Sequence, residues 1–391
     1  LRGLQGALLV TPQRISVVAG VYLRRQYSAL KADIDAAIRR VVESGYYILG
    51  PEVNAFESEW AAYCGTKHCI ALSNGTDSLN LTLRALGIGP GDEVITVAFT
   101  LSATLDAIVE TGARPVLLEV DSETYTIDPG LIEAALTPRT KAILPVHIYG
   151  HPADMDAINK IAAPRNIPVI ADSCEAHGSL YKGVQVNSLA TASCFSFYPT
   201  KNLGAMGDAG GVVTNDEGLA ERIRMLRSHG WDRRFHSAVS SLNSRMDEVQ
   251  AAVLRAKLPH LDEWNRRRAE IARRYDEALE GSDIRPATHA EWASPSYYLY
   301  VLATDRREAL REALDEAGIE SDIYWPETPH VQPAFAQLGY CRGNLPITEG
   351  LCDRVLSIPM FAELTDEEVG RICATLQRFA SMDAAVPVSR S

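Results

Sequence analysis

The stretch CFSFYPTKNLGAMGDAGG, from Cys194 to Gly211, sets a single lysine, Lys201, between an aromatic and serine run and a string of glycines. Such a lysine is either a loop cation that reaches water along its own stem or an amine that holds a carbonyl as an imine. The second use needs an amine that loses its proton near neutral pH, and burial lowers a lysine's pKa in that direction. The FSF run before it reads as an inward strand, and the glycines after it let backbone approach a ligand closely. Twenty-nine residues upstream of the lysine, IPVIADSCEAHG ends an apolar strand on Asp172. A buried carboxylate is costly without a cationic partner. A protonated pyridine nitrogen is one such partner, and the pair keeps the ring an electron sink; the alternative for Asp172 is a helix N-cap.

Further upstream, ALSNGTDSLNLTLRALG turns from strand to helix through Ser73, Asn74, Gly75 and Thr76. Free N–H groups at a helix start, with the helix dipole behind them, seat a phosphate without a lysine. The Thr76 hydroxyl can add to them; the plainer reading is N-capping by Asn74 or Thr76. Ser196, five residues before Lys201, is a candidate second phosphate ligand. Each signal is weak alone. Together they put a phosphate turn, a strand-end aspartate, a serine and a lysine on successive strands of one sheet, which is the layout that pyridoxal 5'-phosphate requires.

To bring these groups together the chain must supply that sheet. Between 68 and about 215, HCIALS, EVITVAF, RPVLLEV, KAILPVHIYG, IPVIADS, ATASCFSF and GGVVTN alternate with helical stretches. Several are apolar without alternation, as strands covered on both faces by helices are, which predicts an α/β fold with a mostly parallel seven-stranded sheet. Ligands gather at the carboxyl ends of such strands, where Ser73 to Thr76, Asp172 and Ser196 to Lys201 lie. YSALKADIDAAIRRVVE places Leu30, Ile34, Ile38 and Val41 or Val42 at helical spacing, predicting a helix from Tyr27 to Glu43. NAFESEWAAYCG predicts another that stops at Gly65. A long helical section broken at Pro259 follows, and then SYYLYVLA, RREALREALDEAG, RVLSIPM and TDEEVGRICATLQRFA predict a smaller α+β C-terminal domain. The expected division is an N-terminal segment 1–26, partly irregular, a large cofactor-binding domain 27–258, a small domain 259–380 and a flexible tail 381–391.

Composition narrows the function. The formal net charge of −12 argues against nucleic acid, whose binding needs clustered Lys and Arg. The arginines in RRR at 266–268 and RR at 273–274 read as a solvated helix face. Seven cysteines at irregular spacing, with no C-x-x-C pair, fit reduced thiols in a cytoplasm rather than a zinc site or a disulfide frame. Cys64 and Cys69, the closest pair, read as small apolar residues. No apolar run approaches the roughly 20 residues of a membrane span. The start LRGLQGALLV, without Met, a charged n-region or a clear cleavage site, reads as a trimmed end rather than a signal peptide. GIGPGD follows a helix rather than a strand, and YPTK sets Tyr198 and Lys201 three apart, so no dinucleotide fingerprint is present.

The runs SNGTDSL, LRALGIGPGDEVI, LPVHIYGHPADMDAI, FSFYPTKNLGAMGD, NSRMDEVQAAVL and VLSIPM, in this order between Tyr27 and Arg378, resemble the DegT/DnrJ family of sugar aminotransferases. The resemblance implies a fold-type I pyridoxal phosphate enzyme with an aspartate aminotransferase-like large domain. It implies that Lys201 forms the internal Schiff base, that Asp172 pairs with the pyridine nitrogen, and that Glu175 lies near the ring's phenolic oxygen. Gly75, Thr76 and Ser196 would hold the phosphate. Asn243 would reach the phosphate in the neighbouring subunit, implying a homodimer with shared sites, and His330 would face the sugar. This sequence departs from the family pattern in three places. Leu101 stands where an aromatic residue usually stacks on the ring, giving up about 1 kcal/mol of stacking. Tyr324, Trp325 and Pro326 replace a His-Tyr-Pro lead into the His330 segment, and Ala209 replaces a common glycine.

The expected activity is transfer of an amino group from L-glutamate to a nucleotide-linked ketosugar, a dTDP-keto-deoxyhexose, with a ketocyclitol as the alternative acceptor. A sugar deoxygenase of the same cofactor is disfavoured, since that subgroup carries histidine at the lysine position. A class I aldolase would leave the phosphate turn and Asp172 without a role. A non-catalytic pyridoxal phosphate-binding regulator is the remaining alternative.

Overall fold

The structure, a computed structural model, describes residues 14–16 and 19–382. Seven strands build the main sheet: β1 (His68–Leu72), β2 (Glu93–Val97), β3 (Arg114–Leu118), β4 (Thr140–Ile143), β5 (Ile170–Asp172), β6 (Ala192–Ser196) and β7 (Gly210–Thr214). β2 pairs in parallel with β3 and β4, and β5 in parallel with β6. The two halves join where Ile143 bridges Val169 and Val146 bridges Asp172, both in parallel. β7 runs antiparallel to both β6 and β1. The order is therefore β3-β2-β4-β5-β6-β7-β1 with β7 alone reversed, so the sheet is mostly parallel, as the unalternating apolar runs predict; the order and the reversed strand come from the structure. All residues of β2, β5 and β7 are buried.

Helices cover both faces. The N-terminal helical pattern divides into α1 (Ala19–Ala29) and α2 (Lys31–Ser44), with the backbone leaving helical geometry at Leu30. The helix expected from Tyr27 is thus two. Leu30 and Ile34 still pack together against Val253, so the apolar stripe continues across the break. α3 (Pro51–Cys64) ends on a left-handed Gly65. α4 (Gly75–Ala85) and α5 (Ser102–Val109) start at the carboxyl ends of β1 and β2.

Beyond the sheet, α6 (Glu248–Lys257) passes through a short 3-10 turn at Leu258–His260 into α7 (Leu261–Leu279). A second, antiparallel sheet of β8 (Arg285–Pro286), β9 (Tyr300–Ala303) and β10 (Val355–Ile358) is covered by α7, α8 (Arg307–Glu316) and α9 (Asp366–Met382). Ile15 pairs with Ile319 and packs in this second core. α9 extends through residue 382, two residues into the expected tail; the rest of that tail, like most of the N-terminal segment, lies outside the described residues. One arginine of the 266–268 run is not on a solvated face. Arg268 is buried, and its Nη1 donates to the carbonyls of Tyr297, Tyr298 and Met360 at 3.0, 3.3 and 2.9 Å.

Candidate active site

A cleft of about 480 Å³ opens at the rim formed by the carboxyl ends of β1, β2, β4, β5 and β6. Gly75, Thr76, Leu101, Asp172, Glu175, Ser196, Lys201 and Tyr324 all line it. At one end, Asn74 caps α4 by accepting from the Asp77 N–H at 2.8 Å. The N–H groups of Gly75 and Thr76 donate to no acceptor among the described residues and remain for an anion. A Cβ on Gly75 would lie 2.8 Å from the Ser196 Cβ and 2.9 Å from the Cys174 Sγ, so only glycine lets the turn approach the serine.

Asp172 is almost wholly buried at the end of β5. One carboxylate oxygen accepts from the Thr104 hydroxyl at 2.8 Å and the other from the Cys174 N–H at 3.2 Å. Both bonds fix the carboxyl group at the cleft, where a cationic partner would offset its burial.

The Lys201 Nζ lies 3.3 Å from Glu175 Oε1 and 4.0 Å from the centre of the Tyr298 ring. Burial pulls the Lys201 pKa down, as the sequence leads one to expect, but Tyr298, Glu175 and Cys174 push it up and prevail, so the ammonium is held above the usual lysine range. Glu175 also accepts from the Tyr149 N–H at 2.6 Å, and burial raises its carboxyl despite Lys201.

Leu101, 49% exposed, precedes α5 at the mouth. The Tyr324 carbonyl accepts from the Tyr149 hydroxyl, and burial pushes the Tyr324 phenol up to about 12. Two expected site residues stay outside the cleft lining. Asn243 is exposed and pairs with Ser228, while its neighbour Ser244 shares a 2.8 Å hydrogen bond with Ser73, beside the phosphate turn. His330 is buried, its Nε2 3.0 Å from the Glu349 carboxylate.

The sequence reading missed Thr104, Tyr298 and His147, which also line the cleft. His147 Nδ1 accepts from the Ala153 N–H at 3.0 Å, which puts the proton on Nε2, an atom without a partner among the described residues. Burial lowers its pKa to about 3, so the ring is neutral. The run PVHIYG at the end of β4 was the available signal.

Donors for a phosphate at one end, a fixed carboxylate for a ring cation, and a buried amine in the same cleft fit pyridoxal phosphate. The fold and cleft define a fold-type I pyridoxal phosphate enzyme. Residues 28–377 match the DegT/DnrJ/EryC1/StrS aminotransferase family. The chain is 46% identical over 357 residues to the erythromycin biosynthesis sensory transduction protein EryC1 of Saccharopolyspora erythraea, covering 91% of this chain and 97% of the relative. It is 44% identical to a dTDP-3-amino-3,4,6-trideoxy-α-D-glucose transaminase of Streptomyces venezuelae, covering 92% and 95%. The crystal structure of S. venezuelae DesV in complex with a ketimine intermediate superposes with a TM-score of 0.91 at 43% identity, covering 94% of this chain and 99% of that one. The chain belongs to the DegT/DnrJ/EryC1/StrS aminotransferase family and is a pyridoxal phosphate-dependent aminotransferase.

Proposed function

We propose that this aminotransferase moves an amino group from L-glutamate to a nucleotide-linked ketosugar, a dTDP-keto-deoxyhexose, in amino sugar biosynthesis. The observation that carries the reading is the shared cleft of Lys201 and Asp172, with the free amides of Gly75 and Thr76 at the same rim. The dTDP-sugar preference draws on the 44% identical dTDP-3-amino-3,4,6-trideoxy-α-D-glucose transaminase of S. venezuelae.

Pyridoxal phosphate, when bound, supplies the carbonyl that carries the amino group and the conjugated ring that takes up the electron pair left at the donor's α carbon. Gly75, Thr76 and Ser196 would hold its phosphate. Asp172, fixed by Thr104 and the Cys174 N–H, would keep a ring nitrogen protonated. The Lys201 Nζ, as a free amine, would take up the proton lost from the donor's α carbon and hold it inside the cleft. Glu175, 3.3 Å away, would steady the ammonium that results. Leu101 would cover the cofactor ring, and Tyr324 would border the space for the sugar.

A homodimer with shared sites is part of the proposal. Asn243 is exposed for a partner, and the exposed Tyr46, Tyr47 and Ile48 lie beside its segment, where Ile48 bridges Asp247.

The test is a panel of dTDP- and UDP-linked ketosugars and a ketocyclitol, each offered with L-glutamate while 2-oxoglutarate is measured. Turnover is expected with a dTDP-linked keto-deoxyhexose and lost in Lys201→Ala. Turnover with the cyclitol alone, or undiminished turnover by Lys201→Ala, overturns the reading.

A further inference from the structure

We infer that Asn265, outside the cleft, is a positioning residue that sets the approach of Lys201 to Glu175. This rests on the roles proposed above for those two residues. They come from separate loops, beyond β6 and β5, so their 3.3 Å contact holds only if both loops are tied to a common body. The Asn265 side chain on α7 makes that tie. Its Nδ2 donates at 2.8 Å to the carbonyl of His177, two residues after Glu175. Its Oδ1 accepts at 2.8 Å from Nδ2 of Asn202, the residue after Lys201. Asn202 Nδ2 donates again to the Ser296 carbonyl at 2.7 Å, and the Ser296 hydroxyl donates to the Glu175 carbonyl at 3.1 Å. The hydrogen bonds therefore close a ring that runs through the backbone of 175–177, Ser296 and the Asn202 side chain.

Other features of the chain are built around this tie. At Gly178, with φ of +82°, a Cβ would lie 2.6 Å from Asn265 Nδ2 and 2.5 Å from the Tyr63 hydroxyl, so a side chain there would displace the amide. Arg268, one turn further along α7, donates to the Tyr298 carbonyl at 3.3 Å, so the ring beneath Lys201 hangs from the same helix. Only an amide serves both arms at position 265, since one arm needs a donor and the other an acceptor. Aspartate keeps the Asn202 arm but turns a carboxylate toward the His177 carbonyl; leucine loses both. Small displacements of a reacting group are expensive, about a hundredfold in rate for roughly 1 Å.

The experiment uses the holoenzymes of Asn265→Asp, Asn265→Leu and Asn202→Leu. The expected result is a kcat lowered about ten- to hundredfold, with the KM for the amino donor unchanged. The pH midpoint of the visible absorption band, which reports the surroundings of the Lys201 nitrogen, is expected to move. A kcat loss that only tracks the folded fraction in thermal melts, with the band midpoint unmoved, assigns Asn265 to structure alone and overturns the inference. Unchanged kcat does the same. Where Asn265→Leu fails to fold, an unmoved midpoint in Asn202→Leu is decisive against it. A wild-type holoenzyme with no visible band would instead sink the proposed role of Lys201, so the two failures are distinguishable.

Discussion

Lys201 and Glu175 form a buried ion pair, Nζ to Oε1 at 3.3 Å, in which the ammonium is favoured over the free amine. Under the role proposed for it, Lys201 would have to give up this proton before its nitrogen could bond a carbonyl. Since the folded pKa of Lys201 is raised, the lysine's own contribution to stability is complete below the ordinary lysine value. It is lost as pH climbs through the folded pKa.

Glu175→Gln should release this hold. With the carboxylate gone, the burial that pulls Lys201 down meets less opposition, and a larger fraction of the amine is neutral at any pH below its pKa. Recombination of the apoenzyme with pyridoxal phosphate, followed by absorbance, should be faster at pH 7 to 8 than for the wild type. An equal or slower rate would show that Glu175 does not govern the amine.

Gly75→Ala tests the phosphate end. The new Cβ would meet Ser196 Cβ at 2.8 Å and Cys174 Sγ at 2.9 Å, neither of them the end of a long flexible chain. The turn has to withdraw from Ser196, and the Gly75 and Thr76 amides proposed to hold the phosphate withdraw with it. A loss of cofactor affinity of about tenfold or more is expected, equivalent to about 1.4 kcal/mol, measured by equilibrium dialysis of pyridoxal phosphate. Unchanged affinity would remove Gly75 and Ser196 from the phosphate site.

Acid should unfold the protein through its buried histidines. Burial lowers His147 and His177 to about 3, and His151 and His289 to about 4. A depressed folded pKa means that stability is complete above the unfolded value of 6.5 and is lost as pH falls from there toward the folded value. His177 sits among Trp60, Phe195 and Phe197 with neither ring nitrogen partnered among the described residues. It alone should cost about 2 kcal/mol of unfolding free energy between pH 7 and pH 5. Urea titrations at the two pH values should show a smaller difference for His177→Phe than for the wild type. An equal difference would mean that His177 does not carry the acid sensitivity.

Much of this was legible in the sequence because the signals were local. The seven strands are short apolar runs bounded by glycine, proline and helical stretches, and the residues after β1, β5 and β6 reach one rim because a mostly parallel sheet puts them there. The break at Leu30 was hidden by its own side chain, which keeps the apolar spacing across the kink. Arg268 could have been found: it stands seven residues after Leu261 and seven before Tyr275, on the buried stripe of α7, but three adjacent arginines masked it. Tyr298 and Thr104 had no such signal, since the second sheet and the pairing with Asp172 that give them meaning are tertiary. The pKa direction at Lys201 failed for the same reason. Burial could be read from the strand before it, whereas the opposing Glu175 and Tyr298 arrive from other segments.

Leu101→Phe probes the departure from the family pattern at the mouth. Leu101 lines the cleft, is 49% exposed, and makes no side-chain cap to α5, so a larger ring there displaces water rather than protein. A phenyl face against the cofactor ring would add about 1 kcal/mol beyond the area it covers, or about fivefold in the dissociation constant. Competition for pyridoxal phosphate between the two apoenzymes, read from the visible band, would measure it. If the phenylalanine variant binds no more tightly, the side chain at 101 does not lie over the ring, and the aliphatic residue is better understood as a border of the sugar's space than as a weakened cover for the cofactor.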